Sequence, residues 1–316
     1  MSLKSLLFVF LIAFGQLAAA QNTRVLLDTD RGPLLLELDV VRAPITSANF
    51  LRYVDDGAYN ATLLARVVPN FVVQGGGFRE NGAQITRRPA IASERSNGLR
   101  NIPGSIAMAL SGNPPNTASA TSDFFINTNT NTSLDGSFTV FGRLIFGTKT
   151  LAGINTTPIY IGSDDPIRPP LIKRASRVPA GEFPILPLHS GAWFDPNNSG
   201  KGFLIEVSQT AGAETGPIMV VSWYDYFEGK QIWLSGIAPF AHGASSVEVP
   251  LQITTGGQFG SAFQPNQVVS DNAWGRITLR FTGCDAGTFS YTSRYGNGSI
   301  AVRSLTLPTN ESCVAN

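Results

Sequence analysis

Arg66, Phe71 and Gln74 stand in the run "LLARVVPNFVVQGGGF", and Gly75, Gly76 and Gly77 follow the glutamine directly. The run is apolar and strand-like, so it sets one cation and one amide against an apolar wall. No histidine or cysteine stands beside them. An arginine is always charged and holds its donors in a rigid fork. This trio suits hydrogen-bond donation to charge that develops in a bound group, rather than nucleophilic attack. Taken singly, each residue has a plainer use. A strand arginine is usually a snorkelling surface side chain. A phenylalanine is core, and a glycine cluster is a bulge or tight bend.

Other residues could also carry chemistry. Asp195, Asn197, Ser199, Gly200 and Glu206 satisfy the spacing of an EF-hand calcium loop. The flanking stretches "GAWF" and "FLIEV" look like strands, whereas that loop needs helices, so a polar turn is the better reading and no metal is expected. The two histidines, His189 and His242, have no carboxylate or cysteine at a recognisable spacing and read as ordinary loop residues. The two cysteines, Cys284 and Cys313, are an even pair near the C-terminus. In an exported chain they favour a disulfide. In the chain-entropy model that cross-link stabilises by about 3–4 kcal/mol.

The elements that must position these residues divide the chain in two. It has 316 residues, 43% apolar and 14% charged, with formal net charge +1. Those values describe a globular protein with ample core and give no electrostatic footprint for nucleic acid. Residues 1–20 read as a signal peptide: Lys4, the apolar "LLFVFLIAF", then small residues ending at Ala20. Cleavage leaves a mature chain from about Gln21, periplasmic or secreted; left uncleaved, the segment is an anchor. No later stretch is long enough to span a membrane. Residues 21–178 form a first domain. Pro179, Pro184 and Pro187 mark an extended linker over 179–189. Residues 190–316, which hold all four tryptophans, form a β-rich C-terminal module.

In the first domain, Asp30-Arg31-Gly32 signals a hairpin. Thr46 or Ser47 can cap a helix whose Phe50, Leu51 and Val54 share a face. Short strands follow in "LLARVV", "FVVQGG", "SIAMAL", "DFFINT" and "TVFGRLI", then a short helix in "TKTLAGI" and a last strand in "PLIKRASRV". Many strands and few helices predict a mainly-β fold, a closed antiparallel barrel with helical covers. In the module, alternation in "GRITLRFTG" and "GTFSYTS" predicts half-buried strands, and "FEGKQ" a hairpin turn.

Arg66, Phe71 and Gln74 with Gly75-Gly76 match the R-x4-F-x2-Q-G-G signature, and "GSIAMA", "SDFFI", "LDG" and "VFGRL" follow in order. With these motifs residues 24–178 resemble the cyclophilins, and "SERSNGLRNIPGSIAMA" is similar to bacterial exported members. The resemblance implies an eight-stranded barrel with two capping helices, peptidyl-prolyl isomerase activity, proline-containing polypeptide clients and no cofactor. It implies that Arg66 donates to the prolyl nitrogen and that Gln74 positions the peptide carbonyl and the arginine. Phe71, Val72, Phe125 and Leu134 would form the proline pocket, with Phe138 and Asp123 also at the groove. Ala109 and Leu110 would supply backbone hydrogen bonds. The chain departs from the family pattern at Leu64, Ala65, Leu110, Asp123, Ser133 and Phe138. Asp123 is the change of most consequence, since pairing with Arg66 would either hold the guanidinium or divert it. With its "GAWFDPNNSGKG" start, "WYDYFEGKQIW" hairpin and late "FTGCDAGTFSY", the C-terminal module resembles a recurrent module of exported proteobacterial proteins, a resemblance that implies architecture only. The alternatives are a proline-peptide binder without useful rate, and a surface or glycan partner for the aromatic C-terminal module.

Overall fold

The computed structural model describes residues 22–179, 182–209 and 216–308. The expected signal segment and Cys313 lie outside them. The first half contains β1 (Thr23–Thr29), β2 (Gly32–Leu38), α1 (Pro44–Asp55), β3 (Thr62–Leu63), β4 (Arg66–Val68), β5 (Val72–Gly75), β6 (Ser105–Met108), β7 (Phe124–Asn127), β8 (Val140–Phe146), α2 (Thr148–Asn155) and β9 (Leu171–Val178). The second contains β10 (Gly191–Phe194), β11 (Gly202–Ser208), β12 (Ile218–Phe227), β13 (Lys230–Pro239), β14 (Ser246–Thr255), β15 (Val269–Phe281), β16 (Ala286–Ser293) and β17 (Gly296–Ser304). The described residues are mainly β with two α-helices, as the sequence pattern predicts.

In the first half the strands form one nine-stranded sheet in the order β3-β9-β1-β2-β8-β6-β7-β5-β4. "LLARVV", read as one strand, is two. β3 ends at Leu63 and β4 begins at Arg66, yet they are the two ends of the sheet. Two residues, Leu64 and Ala65, span at most about 10 Å between them, so the sheet must roll up until its edges nearly meet. The barrel therefore has a seam, and Arg66 sits on it. Inside lie Val25, Leu27, Leu34, Leu36, Phe50, Tyr59, Phe124 and Phe141, all fully buried. α1 starts at Pro44, not at Thr46, because proline at the first turn lacks only an N–H that would be unpaired. Its free N–H groups go to a distant acid: the Glu94 carboxylate accepts from Ile45 N (3.0 Å) and Thr46 N (2.8 Å).

The second half is an up-and-down barrel of eight consecutive strands, closed where Trp193 of β10 pairs with Ser304 of β17. Its interior is packed with aromatic rings; Trp223 lies 5.3 Å from Phe203, 5.6 Å from Trp274 and 5.0 Å from Tyr291. "FEGKQ" is a two-residue hairpin turn, with Glu228 (φ 50°) and Gly229 (φ 76°) both left-handed. The calcium-like loop is a polar turn between β10 and β11. Its Asp195 carboxylate accepts from Asn197 N (2.9 Å) and Asn198 Nδ2 (2.7 Å).

The proline-rich stretch packs between the barrels. Phe183, Leu186 and Leu188 are buried against Leu26, Leu35, Phe146 and Val178 on the outside of the first barrel. The His189 ring stacks on Phe281 at 3.9 Å, accepts from Leu186 N through Nδ1 (3.1 Å) and donates from Nε2 to Gly283 O (3.1 Å). Burial pulls its pKa down to about 3, so it is neutral. His242 Nε2 lies 3.1 Å from Asp28 Oδ2, across 214 residues of chain. Neither histidine is an ordinary loop residue; both serve contacts that sequence spacing cannot show.

Candidate active site

The register of the first sheet builds the site. In antiparallel strands, residues directly opposite share a face. Arg66 faces Gln74, Gln74 faces Phe125, Phe125 faces Ala107, and Ala107 faces Val140. One row thus crosses five strands on the outside of the barrel, with a bulge at the step from β6 to β8. The tight turn at Asn70 (φ 57°) sets this register by folding β5 back on β4, with Phe71 N donating to Val68 O at 3.0 Å.

Around the row lies an apolar patch separate from the core. Val72, Ala107, Phe125 and Val140 form its buried floor. Val68, Phe71, Leu99, Ala109, Leu134 and Phe138 pack against it, half-exposed. The Phe138 ring meets Phe125 edge-on at 5.4 Å. Five residues expected at the groove, Phe71, Val72, Phe125, Leu134 and Phe138, therefore share one concentrated patch, with Ala109 at its border. Leu110 packs instead against the barrel interior. The Ala109 N–H already donates to Asp123 O (2.9 Å), so that backbone donor is spent.

Buried amides fix the base of the patch. Asn127, fully buried, donates to Asn101 Oδ1 (3.1 Å) and Ser105 Oγ (2.9 Å), and Asn131 Nδ2 donates to Asn127 Oδ1 (2.7 Å) and Phe71 O (2.8 Å). The loop that carries Leu134 and Phe138 is tied down by Asp135. Its carboxylate accepts from Asn101 N (2.8 Å) and Arg100 Nε (3.1 Å), and the Asn101 N–H above all holds it below the usual carboxylate range. Gly76, at φ +89°, lets the chain leaving β5 pass close to the chain entering β7; a Cβ there would lie 2.5 Å from Ser122 O.

Arg66 is half-exposed and held from two sides. Its Nη1 reaches Gln74 Oε1 at 3.4 Å. Its Nε and Nη2 lie 3.0 Å and 2.8 Å from Asp164 Oδ2. Asp123 does not pair with it, but binds Arg87 Nη2 at 2.9 Å beside Gly77. Leu64 is fully buried in the core. Asp164 was missed by sequence reasoning, and no spacing signal could have found it 98 residues from Arg66. Among the described residues no cluster of three or more metal-ligating side chains occurs.

A positioned cation, an amide beside it and an adjoining apolar pocket can recognise an apolar group and stabilise charge next to it. The first half of the chain is similar to known proteins. The family model "Cyclophilin type peptidyl-prolyl cis-trans isomerase/CLD" matches residues 24–177. Peptidyl-prolyl cis-trans isomerase A of Dickeya dadantii is 45% identical over 130 residues, which are 41% of this chain and 67% of that one. An isomerase of Streptomyces antibioticus is 36% identical over 160 residues, 47% of this chain and 95% of the relative. A solved cyclophilin-type isomerase of Cryptosporidium parvum, crystallised in the presence of the dipeptide Ala-Pro, is 28% identical over 48% of this chain and 97% of its own, with TM-score 0.42. The chain belongs to the cyclophilin-type peptidyl-prolyl cis-trans isomerases.

Proposed function

We propose that the chain rotates X-Pro bonds in exported proteins and so assists their folding, with Arg66 as the donor that drives the rotation. Turning a peptide bond breaks amide conjugation against a barrier of about 18–20 kcal/mol. Uncatalysed prolyl exchange takes tens to hundreds of seconds. No covalent bond is made or broken. In the twisted transition state the prolyl nitrogen recovers a lone pair, and a fixed N–H aimed at it binds that state better than the planar amide. The patch of Phe71, Val72, Phe125, Leu134 and Phe138 would seat the proline ring, which sets its nitrogen near the row that ends in Gln74 and Arg66. Gln74 would steer both the peptide carbonyl and the guanidinium.

The observation that carries this reading is the row itself, Arg66–Gln74–Phe125, which sets donor, amide and apolar floor side by side. The leader-like residues 1–20 support export to the periplasm or beyond, and in that setting Cys284 and Cys313 would pair. The second barrel would tether the isomerase or hold clients. The test is a protease-independent exchange assay on the mature chain, by magnetisation transfer in an X-Pro peptide. Arg66→Ala is expected to lower kcat/KM by about 10²–10³, the usual cost of removing one transition-state donor. Equal rates for the two proteins would sink the role of Arg66.

A further inference from the structure

β4 is the last strand of the sheet, so its outer edge has no neighbouring strand. The loop between α2 and β9 covers it. Asp164 O accepts the Val67 N–H at 2.9 Å, an edge donor that would otherwise go unpaired. The loop is stiff in its own right. Ile167 N donates to Pro158 O (2.8 Å), Tyr160 N to Asp165 O (3.0 Å), and Ser163 Oγ to Asp165 Oδ2 (2.7 Å). Asp164 is thus pinned to β4 through its backbone, and its side chain is aimed at the residue beside Val67.

The aim has a defined geometry. One carboxylate oxygen takes Nε and Nη2, the side-on fork of Arg66. Gln74 takes Nη1 from the other flank. A guanidinium carries five N–H donors. With three engaged, each terminal nitrogen keeps one N–H that neither Asp164 nor Gln74 takes. We propose that Asp164 is a positioning residue for prolyl rotation, holding the Arg66 fork so that its remaining N–H groups meet the prolyl nitrogen. This rests on the reading of Arg66 as donor. Without the carboxylate, a half-exposed arginine would be anchored only by a 3.4 Å contact to Gln74. The apolar pocket, which binds the planar ground state, would be untouched. Loss should therefore fall on kcat and spare KM.

The experiment measures exchange kinetics of the full mature chain on one X-Pro peptide for Asp164→Ala, Asp164→Asn, Asp164→Glu, Arg66→Ala and the Asp164→Ala/Arg66→Ala double variant. Every variant keeps the backbone carbonyl that pairs Val67. Asp164→Ala is expected to lower kcat about tenfold with KM within about twofold of wild type, in line with the cost of a misplaced catalytic group. The isosteric Asp164→Asn should also lower kcat with its melting temperature unchanged, and Asp164→Glu should recover part of the loss. The double variant should be no slower than Arg66→Ala alone, as expected of two residues acting as one unit. An unchanged or faster Asp164→Ala enzyme would overturn the proposal, since a faster one means that the carboxylate diverts the arginine. Losses that multiply in the double variant would overturn it too. Should Arg66→Ala run at the wild-type rate, the donor reading itself falls. Should only the Asp164 variants run at that rate, the positioning role alone falls.

Discussion

The two barrels close in different ways, and the candidate site lies where they differ. In the second, β10 hydrogen-bonds to β17 and the ring of eight strands has no edge. In the first, the ladder stops between β3 and β4, and the chain crosses the gap in two residues. A sealed barrel spends its polar backbone on itself. A seam leaves an edge that something else must satisfy, and here a loop does so while bringing a carboxylate to the edge arginine. The seam also places Arg66 where neighbours can reach it from both flanks. Closure gives a rigid body, and interruption gives a place to build a site.

The first barrel makes a second contrast with its two outer apolar patches. Leu26, Leu35, Phe146 and Val178 are covered by Phe183, Leu186 and Leu188 of the proline-rich stretch over 182–189, the strap between the barrels. Among the described residues, Val72, Phe125 and their neighbours have no such cover, and half-exposed Phe71, Leu134 and Phe138 wall them. The covered patch centres on β1 and β2, the open one on β5, β6 and β7. The two meet on β8, which gives Phe146 to the covered patch and Val140, at its other end, to the open one.

The comparison breaks most readily at the cores. Trp223→Ala removes a ring from the centre of the second barrel and should cost that barrel about 3–5 kcal/mol, the usual range for a buried aromatic. Calorimetry should show its transition moving down, while exchange activity in the cold stays within about twofold, because the seam and its residues belong to a separate core. Parallel loss of activity would mean that the barrels do not stand apart. A smaller effect sharpens the role of the strap. The neutral His189 has a folded pKa of about 3, below the ordinary value of 6.5. Between those values the unfolded chain binds the proton and the folded chain does not. The stability contribution is complete above about pH 6.5 and falls as the pH drops toward 3, by at most about 1.4 kcal/mol per pH unit. Thermal melts across that window should show the decline, and His189→Gln should flatten it. Identical pH slopes would place the titration elsewhere.

Much of this was legible where neighbours in space are neighbours in sequence. Arg66 and Gln74 are eight residues apart around a tight turn, so their shared face follows from the hairpin. The β1–β2 and β12–β13 turns and α2 announce themselves in the same local way. What stayed hidden depends on distant segments. Asp164 reaches Arg66 across 98 residues, and Glu94 caps α1 across 48. Whether Asp123 pairs with Arg66 stayed open in the sequence, and the fold gives it Arg87. The strap did leave a trace. The runs "VLL" in β1 and "PLLL" in β2 fail to alternate, as strands buried on both faces do. Their outward leucines, Leu26 and Leu35, are the ones the strap covers.

The central claim is that a held, forked donor at the seam turns the prolyl bond, and not merely a positive charge. Arg66→Lys keeps the charge and loses the fork. Measured by magnetisation transfer on the same X-Pro peptide, its kcat/KM should stay within about tenfold of Arg66→Ala, far below wild type. A lysine enzyme within about twofold of wild type would contradict the account, because a point charge would then suffice.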